Sequence, residues 1–205
     1  MEKYDLTKHI FNGTFGSVFA GVRRSDQLPV AVKKVKTTCK SYLSDKHGRM
    51  VIREVHFLEL ASDIENCIRL LEWKHVGPHH FLVMERPVNC SDLHQVIKEF
   101  GILAKNRIRR IFRQTVRACI ACAEKRFVHG DIKPENILVD LDRWDAKLID
   151  FGFSRYFDDD RPFFYLEGTT DYLPPEWERE GCVRSLPATV WSLGLVLFEM
   201  CTFVD

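Results

Sequence analysis

Strand signals crowd the first 86 residues of the chain and helix signals fill the rest, an order that restricts the fold more than any composition figure. Ser17-Val18-Phe19-Ala20 and Val30-Ala31-Val32-Lys33-Lys34-Val35 are rich in β-branched and apolar residues. The turn-prone Ser25-Asp26-Gln27-Leu28-Pro29 separates them, so residues 5–35 predict strands. A helix is expected over about residues 48–61, with Val51, Val55, Phe57 and Leu58 facing a core. Ile68-Arg69-Leu70-Leu71 and His80-Phe81-Leu82-Val83-Met84 predict two more strands, with His79-His80 in the turn between them. From Asp92 onward helices dominate. The clearest carries Ile108, Ile111, Phe112, Val116, Cys119, Ile120 and Ala123 at the 3.6-residue period. The pattern changes at Glu85-Arg86-Pro87, where proline fixes φ and removes a donor. The expectation is an α+β fold, strand-rich over 1–86 and helical over 87–205.

Composition narrows the classes. With 45% hydrophobic and 29% charged residues, the 205-residue chain is neither a disordered nor a collagen-like sequence. Lys+Arg 30 against Asp+Glu 29 leaves +1, a balance that points away from nucleic acid and anionic lipid as partners. MEKYDLTKHI has no apolar core of a secretory leader, and the apolar stretch from Trp191 to Met200 is about half a membrane span. Seven cysteines, an odd number, read as reduced thiols of an intracellular protein, cytoplasmic or nuclear. Cys119-x-x-Cys122 has no second pair and is expected in helix packing. Asp158-Asp159-Asp160 lacks the spacing of a calcium loop. Arg109, Arg113 and Arg117 form a basic row read as a solvated face, with phosphate or partner binding as the alternative.

Certain residue types recur in an informative order. Asn12-Gly13-Thr14-Phe15-Gly16-Ser17-Val18 sets two glycines three apart between strand-like segments. That suits close backbone approach to a phosphate and equally suits a plain hairpin. Lys33 ends an apolar strand and shares a face with Ala31. If it points inward it needs an anion, and Glu54 on the following helix can supply one. The decisive stretch is Val128-His129-Gly130-Asp131-Ile132-Lys133-Pro134-Glu135-Asn136-Ile137-Leu138-Val139, followed by Lys147-Leu148-Ile149-Asp150-Phe151-Gly152. Asn136 and Asp150 are oxygen ligands of the kind Mg²⁺ prefers, and Asp131 lies in a loop where it can accept a hydrogen bond from an incoming hydroxyl. Taken singly, each acid reads as a solvated loop residue. The ordered set does not.

That set resembles the eukaryotic protein kinases over essentially the whole chain from Tyr4 onward, and more narrowly the Pim family of serine/threonine kinases. The narrower resemblance rests on Gly21-Val22-Arg23-Arg24-Ser25-Asp26-Gln27-Leu28-Pro29 running into Val30-Ala31-Val32-Lys33, on Ile68-Arg69-Leu70-Leu71-Glu72-Trp73, on Glu85-Arg86-Pro87 and on Pro174-Pro175-Glu176-Trp177. It implies a bilobal fold, ATP and Mg²⁺ as cofactors, and protein substrates phosphorylated on Ser or Thr. Gly13, Phe15 and Gly16 would cover the phosphates, while Lys33 would contact the α- and β-phosphates and pair with Glu54. Asp131 would position and deprotonate the hydroxyl, Lys133 would steady the γ-phosphate, and Asn136 and Asp150 would hold Mg²⁺. Ile10, Val18, Ala31 and Leu138 would sandwich adenine, with Met84 as gatekeeper and the Glu85 carbonyl on the adenine amine. Pro87 lacks the N–H most kinases donate at this point, a loss of about 0.5–1.5 kcal/mol. Asp92 and Glu135 match acids that attract substrate arginines, whereas Gln95 and Pro134 stand where further acids are expected.

The departures are specific. Phe11 replaces the first loop glycine, Gly130 the arginine of the usual His-Arg-Asp, and Thr189 a helix aspartate. Because that arginine receives an activation-loop phosphate, its absence implies activity without such control. The chain ends at Asp205, just after Trp191-Ser192-Leu193-Gly194, where the resemblance implies further helices and an arginine partner for Glu176. The expectation is a monomeric kinase with an incomplete C-lobe; a catalytically inactive pseudokinase acting as a binding module is the alternative. Tyr165, Thr169 and Thr170 are phosphosite candidates by location.

Overall fold

The computed structural model describes residues 2–13, 16–36, 42–45, 47–158, 161–164 and 167–202. The chain divides into two compact units, Met1–Ser62 with Ile68–Val88 and Asp63–Cys67 with Asn89–Asp205. Residues 63–67 join the second unit because Cys67 bridges Leu148 and the Leu148 N–H donates to the Asn66 carbonyl at 2.8 Å.

The first unit is built on β1 (Tyr4–Gly13), β2 (Gly16–Arg23), β3 (Pro29–Lys36), the short β4 (Tyr42–Ser44) and β5 (Met50–Ile52), α1 (Arg53–Ala61), β6 (Leu70–Val76) and β7 (His79–Glu85). Five of these strands form an antiparallel sheet in the order β1-β2-β3-β7-β6. Val30 and Val32 pack with Tyr4 and Val83 on one face, and the alternation that sends them there sends Ala31 and Lys33 to the other. Two expectations need correction. The helix expected from residue 48 begins at Arg53, because Asp45 accepts the His47 and Arg49 N–H groups, each at 2.8 Å. This forms a turn and leaves Met50–Ile52 to pair with β4. His79 and His80 are not in the turn but open β7, where His80 stacks on His75 across the ladder, centroids 4.4 Å apart.

The second unit contains β8 (Cys90–Asp92), α2 (Leu93–Phe100), α3 (Lys105–Glu124), β9 (Phe127–Val128), β10 (Ile137–Asp140), β11 (Ala146–Leu148), β12 (Arg155–Tyr156), α4 (Pro175–Glu180) and α5 (Ser185–Thr202). Asp92 caps α2 by accepting the Gln95 N–H at 2.9 Å, and Gly101 ends it. The line that α3 buries is Ile111, Thr115, Ala118 and Cys122, rotated from the expected stripe, and Ile120 is 53% exposed. Small residues win there because β11 lies close against the helix, and the Thr115 hydroxyl is satisfied by the Ile111 carbonyl at 3.0 Å. No described cysteine is in a disulfide. At eighteen residues, α5 is longer than its apolar core suggested, long and apolar enough to cross a bilayer by length and composition alone.

Candidate active site

In the first unit a charge is buried with its partner. Lys33 on β3 and Glu54 on α1 are 6% and 2% exposed and meet at 2.6 Å. An inward lysine on an apolar strand is tolerable only with such an anion. Gly13 and Gly16 close the β1–β2 hairpin as a register pair, and a Cβ at Gly16 would lie 2.0 Å from the Lys34 carbonyl oxygen, so β3 passes too close for any side chain. Ile10 lies at the irregularity between His9 and Phe11 and is 50% exposed. Val18 and Ala31 are half-buried, and Met84, opposite Ala31 in the ladder, is buried. Glu85 ends β7, exchanging hydrogen bonds with the Arg69 backbone at 3.0 Å. Phe15 and Tyr165 lie outside the described residues.

In the second unit the loop between β9 and β10 organises Asp131, only 8% exposed. Its Oδ1 accepts the Thr169 N–H at 3.0 Å and the Thr169 hydroxyl at 2.8 Å. Its Oδ2 accepts from Asn136 Nδ2 at 2.8 Å and lies 3.4 Å from Lys133 Nζ. Lys133 Nζ also donates to Thr169 Oγ1 at 2.6 Å. The carboxylate is therefore fixed from both sides, with a cation beside it. Asn136 Nδ2 also bonds the Asp131 carbonyl at 2.8 Å. That commits the amide nitrogen and leaves its carbonyl oxygen as the atom it can offer a metal. Asp150 sits at φ 62°, ψ 76°, and accepts the Gly152 N–H at 3.3 Å. An amide oxygen and a carboxylate form a hard donor set that fits Mg²⁺, an ion that takes one or two protein ligands and completes its shell with phosphate and water. Leu138 is half-buried in β10 between Lys147 and Asp92 in the ladder.

His129, given no role from the sequence, orients this loop. The Asp131 N–H donates to its Nδ1 at 3.3 Å, so the proton is on Nε2, which meets the Ile149 carbonyl at 2.8 Å. Burial pulls its pKa below the ordinary value, and the ring stays neutral. The Ser154 hydroxyl donates to the His129 carbonyl at 3.0 Å, tying the segment after Asp150 to the Asp131 loop. The only sequence signal was the position of His129 two residues before Asp131. Gly130 has φ 86°, and a Cβ there would lie 2.3 Å from the Phe153 carbonyl oxygen. Asp92 is occupied as a helix cap, whereas Glu135 is exposed.

A buried Lys–Glu pair behind a glycine hairpin, followed in the chain by an Asp131 loop and an Asp-Phe-Gly turn, is the arrangement of a protein kinase domain. Sequence comparison agrees, matching the protein kinase domain over residues 4–204, α5 included. Relatives share 36% identity in the zebrafish Danio rerio (serine/threonine-protein kinase pim-2) and 34% in the nematode Caenorhabditis elegans (serine/threonine-protein kinase prk-2). A third, serine/threonine-protein kinase 1 of African swine fever virus isolate Tick/Malawi/Lil 20-1/1983, shares 30%. These alignments cover 97%, 97% and 99% of this chain, which spans 67%, 45% and 67% of the respective relatives. The chain belongs to the protein kinase family, in its serine/threonine branch.

Proposed function

We propose that the protein transfers the γ-phosphoryl group of ATP to serine and threonine hydroxyls of protein substrates, with Mg²⁺ held by Asn136 and Asp150. The observation that carries this reading is the Asp131 carboxylate, held by Thr169 and Asn136 with Lys133 at 3.4 Å. Asp131 accepts a hydrogen bond from the substrate hydroxyl and orients its oxygen for attack. It takes the proton as the O–P bond forms and the bond to the leaving ADP oxygen breaks. Lys133 stabilises negative charge on the transferring group, and in the first unit Glu54 holds the Lys33 ammonium for the α- and β-phosphates. The metal, when bound, neutralises charge shared between the phosphates.

Two finer readings accompany this. Gly130 offers no guanidinium to a phosphorylated activation segment, and the contacts that hold Asp131 need none, which supports activity without such phosphorylation. Acidic Asp92 and Glu135 support a preference for arginine-containing substrates. Labelled γ-phosphate transfer to an Arg-rich serine peptide, compared with Asp131→Asn, tests the reaction. Loss of transfer in the variant supports it, and no transfer from folded wild type would count against it and favour the inactive binding module. For specificity, Glu135→Ala combined with Asp92→Asn is the right pair, since asparagine keeps the α2 cap. Unchanged preference for the Arg-rich peptide would refute that reading.

A further inference from the structure

Outside the catalytic loop, α3 carries charge that its own fold does not use. Lys105, Arg107, Arg109, Arg110, Arg113 and Arg117 precede its first acid, Glu124. Arg110 is paired with Asp145 at 2.7 Å, and the Arg107 guanidinium lies 3.8 Å from the centroid of Trp144. The side chains of Arg109, Arg113 and Arg117 are exposed and make no hydrogen bond or ion pair with any described residue. Helix physics disfavours this pattern. Cations four residues apart repel, and cations in the first turns oppose the helix dipole. A local conflict kept on an ordered surface is the signature of charges that are answered in a complex.

The spacing indicates what answers them. Successive arginines lie about 6 Å apart along the axis. Side chains on one face of an extended strand recur about every 6.8 Å. Ile120 continues the row nearly one turn beyond Arg117 and is 53% exposed. We infer that this face of α3 docks an extended acidic peptide segment of a partner protein. Carboxylates at three alternate positions meet Arg109, Arg113 and Arg117, and an apolar residue at the next such position covers Ile120. Guanidinium groups suit the task because they grip carboxylates through two parallel hydrogen bonds. The exposed isoleucine favours a peptide over a phosphate backbone, which has nothing apolar to set against it. The chain's net charge of +1 likewise provides no broad field for a polyanion.

Fluorescence anisotropy with the whole chain tests this. The probe is a labelled peptide with glutamates at three alternate positions, leucine at the next and serine spacers. Its controls are the same peptide with glutamines and a single-stranded oligouridine. The glutamate peptide should bind, and binding should weaken as salt rises from about 50 to about 200 mM. The triple charge reversal R109E/R113E/R117E and the milder R109Q/R113Q/R117Q should each weaken it about tenfold or more, and Ile120→Ser about threefold. Thermal melts of a triple variant should be no lower than wild type, since the mutual repulsion is relieved, and transfer to a short Arg-rich peptide should be unchanged. Undiminished binding by both triple variants, equal binding of the glutamine peptide, or tighter binding of oligouridine would each overturn the proposal.

Discussion

Replacing Gly130 with alanine should damage both stability and rate, and arginine, which restores the usual His-Arg-Asp, should do worse. At a position whose backbone suits it, Gly→Ala gains about 0.4–1 kcal/mol by restricting the unfolded chain. Gly130 is not such a position. Its φ of 86° costs a Cβ-bearing residue about 1–2 kcal/mol. The new Cβ would also lie 2.3 Å from the Phe153 oxygen and 2.9 Å from its carbonyl carbon, backbone atoms that cannot swing aside. Relief needs a shift of about 1 Å between the Asp131 loop and Phe153, for a total loss of about 2–4 kcal/mol. The same shift moves the Asp131 carboxylate and should lower transfer about a hundredfold. An arginine side chain starts from the same clashing Cβ and adds bulk beyond it. Gly181→Ala separates the two causes, since Gly181 has φ 65° but nothing within 4 Å of the point its added methyl would occupy. Urea unfolding and single-turnover transfer provide the readouts. If G130A loses no more stability than G181A and keeps its rate, the steric argument is wrong.

Two further outcomes follow from buried groups. Glu54→Gln should cost about 3–5 kcal/mol in urea unfolding because it takes a carboxylate away from the buried Lys33 ammonium that it meets at 2.6 Å. The Lys33→Met/Glu54→Leu double variant should recover most of that while abolishing transfer; a double variant as unstable as the sum of its singles would refute this. His129 sets a pH dependence. Burial depresses its folded pKa, so below about pH 6.5 the unfolded chain binds a proton that the folded chain refuses. Stability attributable to it is present above that pH and is lost as pH falls, by up to about 1.4 kcal/mol per unit. Urea midpoints at pH 7, 6 and 5 should therefore fall more steeply for wild type than for His129→Gln, and parallel slopes would remove His129 as the cause.

The residues readable in the sequence are those whose chemistry leaves little choice of type. Lys33 and Glu54 were legible together because an inward cation on an apolar strand demands an anion, and they meet at 2.6 Å. Asp131, Lys133 and Asn136 were legible as a spaced set, and the same short loop gathers them. What stayed hidden depends on distances that no local pattern encodes. The buried line of α3 runs through Thr115, Ala118 and Cys122 because of how near β11 lies, whereas periodicity alone favoured the larger Ile120, which is exposed. The start of α1 was misplaced because one side chain, Asp45, ties a turn that a hydrophobic pattern cannot display.

Gly130 shows the same boundary from the opposite side. As a letter it reads as a lost arginine, hence as weakened control. In three dimensions it is the residue that lets the chain turn at φ 86° against Phe153 while His129 and Thr169 hold the Asp131 loop in place. Had an arginine merely been lost there, several small residues would serve equally well. The 2.3 Å approach leaves glycine alone, so the departure from the family pattern and the geometry of the loop are one constraint. A substitution chosen to repair the pattern acts against the structure that replaced it.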